Sequence, residues 1–231
     1  MFEVIAFDAD DTLWHNERLY ARAQERLRAL LAPYADGTAV DQALYATEMR
    51  NLPAYGYGIK SFALSMIETA VTLSDGRVAA AEVRSILGAV RAMIDAEVEL
   101  LPGVAAALAE LAPRYRLMVI TKGDLLDQER KLAKSGLASY FDAVEVVSHK
   151  TADTYRGLLA RYAIDPARFV MVGNSLRSDV LPVAAVGGTA VHVPHDLTWA
   201  HEQDVDLQQP GGYHEISHMG ALPALLAQLQ L

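Results

Sequence analysis

A short apolar run, FEVIAF (2–7), leads straight into the acidic stretch DADD (8–11). Carboxylates repel one another, so Asp8, Asp10 and Asp11 cost stability together unless cations or chemistry offset the repulsion. Asp8 and Asp10 are two apart where the chain leaves a strand, so both can reach one ligand. One carboxylate can then attack while the other handles a proton. Asp11 points elsewhere by parity and reads as a turn residue. Taken alone, the cluster reads equally as a metal site or a turn.

Three more stretches place polar groups after apolar runs. VITKGD (119–124) ends in Thr121, Lys122 and Gly123, where a hydroxyl and open backbone N–H groups can hold phosphate oxygens. VVSHKTADTY (146–155) carries Lys150 in a loop ahead of a helical pattern. VMVGNSLRSD (170–179) turns at glycine into Asn174 and Ser175, then reaches Asp179. Each has a plainer reading by itself: Lys150 as a surface lysine, Thr121 as a strand-end filler, Ser178 with Asp179 as a helix N-cap.

The elements that must position these residues follow from two alternating textures. FEVIAF (2–7), RLMVIT (116–121), AVEVV (143–147), RFVMVG (168–173) and TAVHVP (189–194) are short apolar runs, as expected of strands buried on both faces. Helical patterns separate them, including GVAAALAEL (103–111) and DTYRGLLARYA (153–163). This order predicts βαβ units and a Rossmann-like parallel sheet, whose ligands bind beyond the carboxyl ends of the strands. Residues 15–98 lack a buried-strand run; ERLYARAQERLRALL, IKSFALSMIETAVTL and AEVRSILGAVRAMID have helical spacing. Pro33, Gly37, NLPAYGYG (51–58) and SDG (74–76) read as breaks between them. The expectation is an α/β core of residues 1–14 plus 99–231, interrupted by an all-helical segment at 15–98.

In this order, the four stretches resemble the motifs of the haloacid dehalogenase-like hydrolase superfamily, in the branch with a helical cap inserted after the first motif. The resemblance runs from residue 2 to the C-terminal helix. It implies Asp8 as nucleophile, Asp10 as general acid/base, Thr121 as the second-motif hydroxyl, Lys150 as the third-motif lysine and GNSLRSD as the acidic fourth motif. It also implies a phosphatase that forms an aspartyl-phosphate. Asp8, Asp179 and a phosphate dianion bring four negative charges together; Lys150 supplies one positive charge and Mg²⁺ two. The expected metal ligands are Asp8, the Asp10 carbonyl, Asn174 and Asp179. Asn174 departs from the family, whose phosphatases usually carry Asp there, and predicts weaker metal binding. A 2-haloacid dehalogenase is the nearest alternative. That branch lacks the second aspartate of the first motif, so Asp10 favours phosphate and Asn174 leans the other way. A cap-bearing binding protein without turnover is the third reading.

Substrate choice is attributed to the cap. In AYGYGIKSF (54–62) two glycines flank Tyr57, and Lys60 opens a helix that can present N–H groups to an anion. Lys122, Gly123, Tyr57 and Lys60 are the substrate-binding candidates; an interhelical turn with a solvated lysine is the plainer reading of the last two. Trp14, His15 and Glu17 lie at the first junction between core and cap. The loop HDLTWAHEQD (195–204) carries two histidines and acidic neighbours, but its spacing matches no recognised metal-ligand set.

Bulk properties bound the partners. The chain has 231 residues, a formal net charge of -9 and no cysteine. The acidic balance argues against nucleic acid, and the lack of cysteine rules out disulfides and thiolate chemistry. No signal peptide and no apolar stretch long enough for a membrane span is read, so the expectation is a cytoplasmic enzyme acting on a small phosphorylated metabolite. The sequence leaves a homodimer open.

Overall fold

A computed structural model describes residues 1–197, 199 and 212–230. The chain divides into two compact units: residues 1–17, 98–122 and 130–231, and residues 18–97 with 123–129.

The first unit is built on six parallel strands: β1 (Val4–Phe7), β2 (Arg116–Lys122), β3 (Ala143–Val147), β4 (Phe169–Gly173), β5 (Thr189–His192) and β6 (His214–Glu215). Their order is β3-β2-β1-β4-β5-β6, so the direction of winding reverses between β1 and β4. A crevice beyond the carboxyl ends of two such strands is where open α/β sheets take ligands. Strand alternation sends Ile5 and Phe7 to one face of the sheet and Val4 and Ala6 to the other. The first face packs on Leu108 and Leu111 of α5 (Val104–Leu111) and on Leu222 and Leu226 of the C-terminal helix α9 (Leu222–Gln228). The second packs on Tyr155 and Leu158 of α7 (Ala152–Arg161) and on Val183 of α8 (Leu181–Ala185). With both faces covered, the strands need no polar residues, which is why they read as continuous apolar runs.

The second unit holds α1 (Glu17–Leu31) from Arg18 onward, α2 (Gly37–Tyr55), α3 (Ile59–Leu73) and α4 (Ala80–Asp95). Leu27, Leu31, Val40, Leu44, Phe62, Met66, Ile86 and Val90 share its core. Gly37 opens α2 and the break before α3 falls at 56–58, as Gly37 and NLPAYGYG lead one to expect, but α2 itself, which runs on through residues 51–55, was not read as a helix. Its inward residues are Val40, Leu44, Thr47 and Asn51, and the two polar ones hide the stripe. Asn51 Nδ2 donates to Ser65 Oγ at 3.2 Å and to Glu68 Oε2 at 2.8 Å, so its burial is satisfied. Pro53 sits in the last turn, and the helix ends only where Gly56 takes φ 70°. Among the described residues, no helix is long and apolar enough to cross a membrane.

Glu48 is a second feature of α2 with a measurable consequence. Burial pushes its carboxyl from 4.5 up to about 7. Below pH 4.5 it is neutral in folded and unfolded chains alike; above about 7 it is charged in both, and the folded state bears the whole desolvation cost. Stability therefore falls as pH rises through that window. Glu48→Gln is expected to gain about 1–3 kcal/mol at pH 8 and nothing at pH 4, read from urea melts.

Candidate active site

Asp8 is the first residue past β1, and its N–H donates to Val172 of β4 at 2.9 Å. That bond holds it at the switch between the two strands. Lys150, in the loop after β3, donates from Nζ to Asp8 Oδ1 and, at 2.7 Å, to Asp179 Oδ1. The side chains of Lys150 and Asp179 are each 1% exposed, so this is a buried lysine shared by two carboxylates rather than a surface lysine. Burial pushes the Asp8 carboxyl up to about 7; Lys150 pulls against it and Asp179 adds to the push. Burial works against the Lys150 ammonium too, but Asp179 and Asp8 outweigh it and hold the group above its ordinary value.

The expected N-cap of Ser178 and Asp179 is corrected: the cap is Ser175. Its side chain accepts from Ser178 N at the head of a single π-helical turn, Leu176–Val180. This wide turn carries Asp179 back toward the end of β4, where Oδ2 accepts from Ser175 N at 3.1 Å. A Cβ on Gly173 would stand 2.2 Å from Asp179 Oδ2, so only glycine leaves room for that carboxylate. Lys122 Nζ donates to Ser178 Oγ at 2.8 Å, and Tyr155 Oη to the Ser178 carbonyl at 3.0 Å, bracing the same turn.

Thr12 links the remaining positions. Its hydroxyl lies 3.2 Å from Asn174 Oδ1, accepts from Asn174 N at 3.1 Å, and stands 3.4 Å from Asp8 Oδ2. Thr121 is buried at the end of β2, its hydroxyl 3.3 Å from the Lys122 carbonyl. Asp10 accepts from Trp14 Nε1 at 2.8 Å and from Lys131 Nζ at 2.7 and 2.8 Å. Asp11 is a turn residue, at φ 59°, and its carboxylate accepts from Asn16 N and Glu17 N ahead of α1. Burial pushes its carboxyl up to about 6.

Lys150 thus joins Asp8 to Asp179, and Thr12 joins Asp8 to Asn174. Two carboxylates share a single ammonium there, and the oxygen donors suit a hard divalent cation such as Mg²⁺. The other substrate candidates, Gly123, Tyr57 and Lys60, belong to the helical unit. In that unit Lys60 pairs with Asp124 at 2.9 Å, and Gly58 at φ 107° allows the approach, since a Cβ would stand 2.6 Å from Asp124 N.

Residues 2–187 match the model of the haloacid dehalogenase-like hydrolases. The chain belongs to this family. A haloacid dehalogenase-like family hydrolase from Xanthomonas campestris is 39% identical, with a TM-score of 0.88, over 99% of this chain and 91% of that one. Glyceraldehyde 3-phosphate phosphatase from Methanothermobacter thermautotrophicus is 33% identical over 111 residues, 46% of this chain and 49% of the relative. The chain spans about half the length of the curated relatives it matches. L-2-haloacid dehalogenase from Xanthobacter autotrophicus, at 19% identity and a TM-score of 0.70 over 98% of this chain and 99% of that one, shares the fold.

On this haloacid dehalogenase-like framework, two residues emerge that sequence reasoning missed. Lys131 comes from α6 (Leu125–Ser135), a helix whose signals were Asp124 ahead of it, accepting from Asp127 N, and Gly136 behind it at φ 72°. No local signal ties Lys131 to Asp10, 121 positions away. His192 at the end of β5 holds the Asn174 carbonyl with Nε2 at 3.1 Å, while its Nδ1 lies 2.9 Å from Glu215 Oε2. It read only as part of an apolar strand.

Proposed function

We propose that this hydrolase is a Mg²⁺-dependent phosphomonoesterase that works through an aspartyl-phosphate on Asp8. The observation that carries the reading is the buried Asp8 carboxylate at the β1–β4 switch, held through one oxygen by Lys150, with Asp10 two residues on. When bound by Asp8, the Asp10 carbonyl, Asn174 and Asp179, Mg²⁺ supplies the positive charge that the phosphoryl oxygens need.

The chain's own residues account for the rest. An Asp8 oxygen attacks phosphorus as the ester P–O bond breaks, and protonated Asp10 gives its proton to the departing alkoxide. Water then attacks the phosphoryl group, gives a proton to Asp10, and the Asp8–phosphorus bond breaks to free phosphate. Lys150 keeps Asp8 oriented and offsets charge on the transferring group, and Thr121, Lys122 and Gly123 offer it a hydroxyl, a cation and an open backbone. Trp14 and Lys131 hold the Asp10 carboxylate in place for that role.

The substrate is a small phosphorylated metabolite, as the names of the phosphatase relatives suggest. Tyr57 and Lys60 of the helical unit are the residues we assign to recognition of the rest of the molecule. A cytoplasmic setting goes with this reading, since a chain without cysteine suits a reducing compartment.

The test is phosphate release from p-nitrophenyl phosphate with and without Mg²⁺. Metal-dependent release is expected; chloride release from 2-chloropropionate without metal, and no phosphate, would make the protein a dehalogenase. Asn174 gives a sharper expectation. Its amide ligates without formal charge, so Asn174→Asp should lower the Mg²⁺ concentration for half-maximal rate by about 5–30-fold, equivalent to roughly 1–2 kcal/mol. An unchanged or higher concentration would contradict its place among the ligands.

A further inference from the structure

Behind the turn that carries Asp10, three side chains from separate parts of the sheet unit converge. Asp11 comes from the loop after β1, His15 from the approach to α1, and His195 from beyond β5. One potential ligand atom from each lies within 4.8 Å of the other two. His195 Nε2 stands 3.5 Å from Asp11 Oδ1, and the two imidazole rings meet with centroids 5.7 Å apart and planes at 62°. Two ligands about 2.0–2.1 Å from a tetrahedral ion are roughly 3.3–3.4 Å apart, so the first pair already has the required spacing. The third ligand atom lies within 4.8 Å of both.

The orientation of the His195 ring points the same way. His195 Nδ1 lies 2.7 Å from the Leu197 carbonyl, which can only accept, so Nδ1 carries hydrogen. The Leu197 N–H lies 3.3 Å from the same nitrogen, the longer of the two contacts. Nε2 is then the nitrogen that faces the Asp11 carboxylate, at 3.5 Å. An imidazole whose far N–H is anchored on a backbone carbonyl is the usual preparation of a metal-ligating histidine. Asp11 is likewise oriented from behind by the N–H groups of Asn16 and Glu17.

We propose that Asp11, His15 and His195 form a second cation site, separate from the Asp8–Lys150–Asp179 cluster, that takes a first-row transition ion such as Zn²⁺. Two imidazoles and one carboxylate favour such an ion over Mg²⁺, which prefers an all-oxygen shell. Three protein ligands leave one tetrahedral position for water. Occupancy would tie the stretch at 195–197 to the turn that carries Asp10. The pairing was not legible in the 195–204 loop itself: the partners of His195 lie some 180 positions earlier, and the loop's other histidine, His201, lies outside the described residues.

The experiment is Zn²⁺ titration of tag-free, full-length protein in excess Mg²⁺, with Co²⁺ as a spectroscopic substitute. One Zn²⁺ per chain is expected, bound at least about tenfold more weakly in His195→Ala and in His15→Ala. Visible Co²⁺ bands of a nitrogen-ligated site should appear in the wild type and be lost in both variants. If one variant fails to fold, the other and the wild-type Co²⁺ spectrum still decide. No Zn²⁺ binding, binding unchanged by either histidine, displacement by Mg²⁺, or loss of Zn²⁺ in Asp8→Asn would each overturn the proposal.

Discussion

Asp8→Asn is expected to lower turnover of p-nitrophenyl phosphate by about 10⁴-fold or more while leaving the fold intact. The amide is isosteric with the carboxylate but cannot attack phosphorus. It keeps an oxygen for Lys150, and Lys150 retains its 2.7 Å bond to Asp179, so no buried charge is left alone. The urea midpoint should therefore stay close to that of the wild type. Rate and stability must separate in this variant. Parallel loss of both would mean that Asp8 is a structural residue, and an unchanged rate would remove it from the chemistry.

Lys150→Met should have the largest effect on stability. Its ammonium is the cation that two carboxylates share, Asp179 among them at 1% exposure. Removing one partner of a buried ion pair leaves uncompensated charge and typically costs about 3–5 kcal/mol. Here one substitution strands two carboxylates, so a loss in that range is expected from urea melts, together with loss of turnover. Adding Asp179→Asn to Lys150→Met should recover part of the stability, because the neutral amide no longer repels Asp8; turnover should stay lost. A double variant no more stable than Lys150→Met would show that the cost is lost packing rather than stranded charge.

Much of the fold was legible because its physics is local. Strands β1, β2 and β4 are covered on both faces and so read as unbroken apolar runs, and the acidic and polar stretches follow them directly. Helices α1, α3 and α4 read from apolar residues at helical spacing. Helix α2 did not, because Thr47 and Asn51 occupy inward positions and are satisfied by partners that sequence spacing cannot reveal. The same limit applied around the site. Asp8 was singled out by its place at a strand end, and Lys150 and Asp179 by the order of their stretches and the family resemblance it carries. Lys131 and His192 matter through contacts with residues far away in the chain, and Ser175, not Ser178, caps the turn because the backbone widens there into a π-helical loop. Asp11 read as a turn residue and is one, yet its carboxylate also meets His195, which parity alone does not predict.

The most direct test of nucleophilic attack by Asp8 is the mass of the Asp8 peptide after acid quenching during Mg²⁺-supported turnover of p-nitrophenyl phosphate. An aspartyl-phosphate enzyme yields that peptide heavier by one phosphoryl group in the wild type and unmodified in Asp8→Asn. Steady turnover with the adduct on another residue, or an Asp8→Asn variant that still turns over, would contradict nucleophilic attack by Asp8.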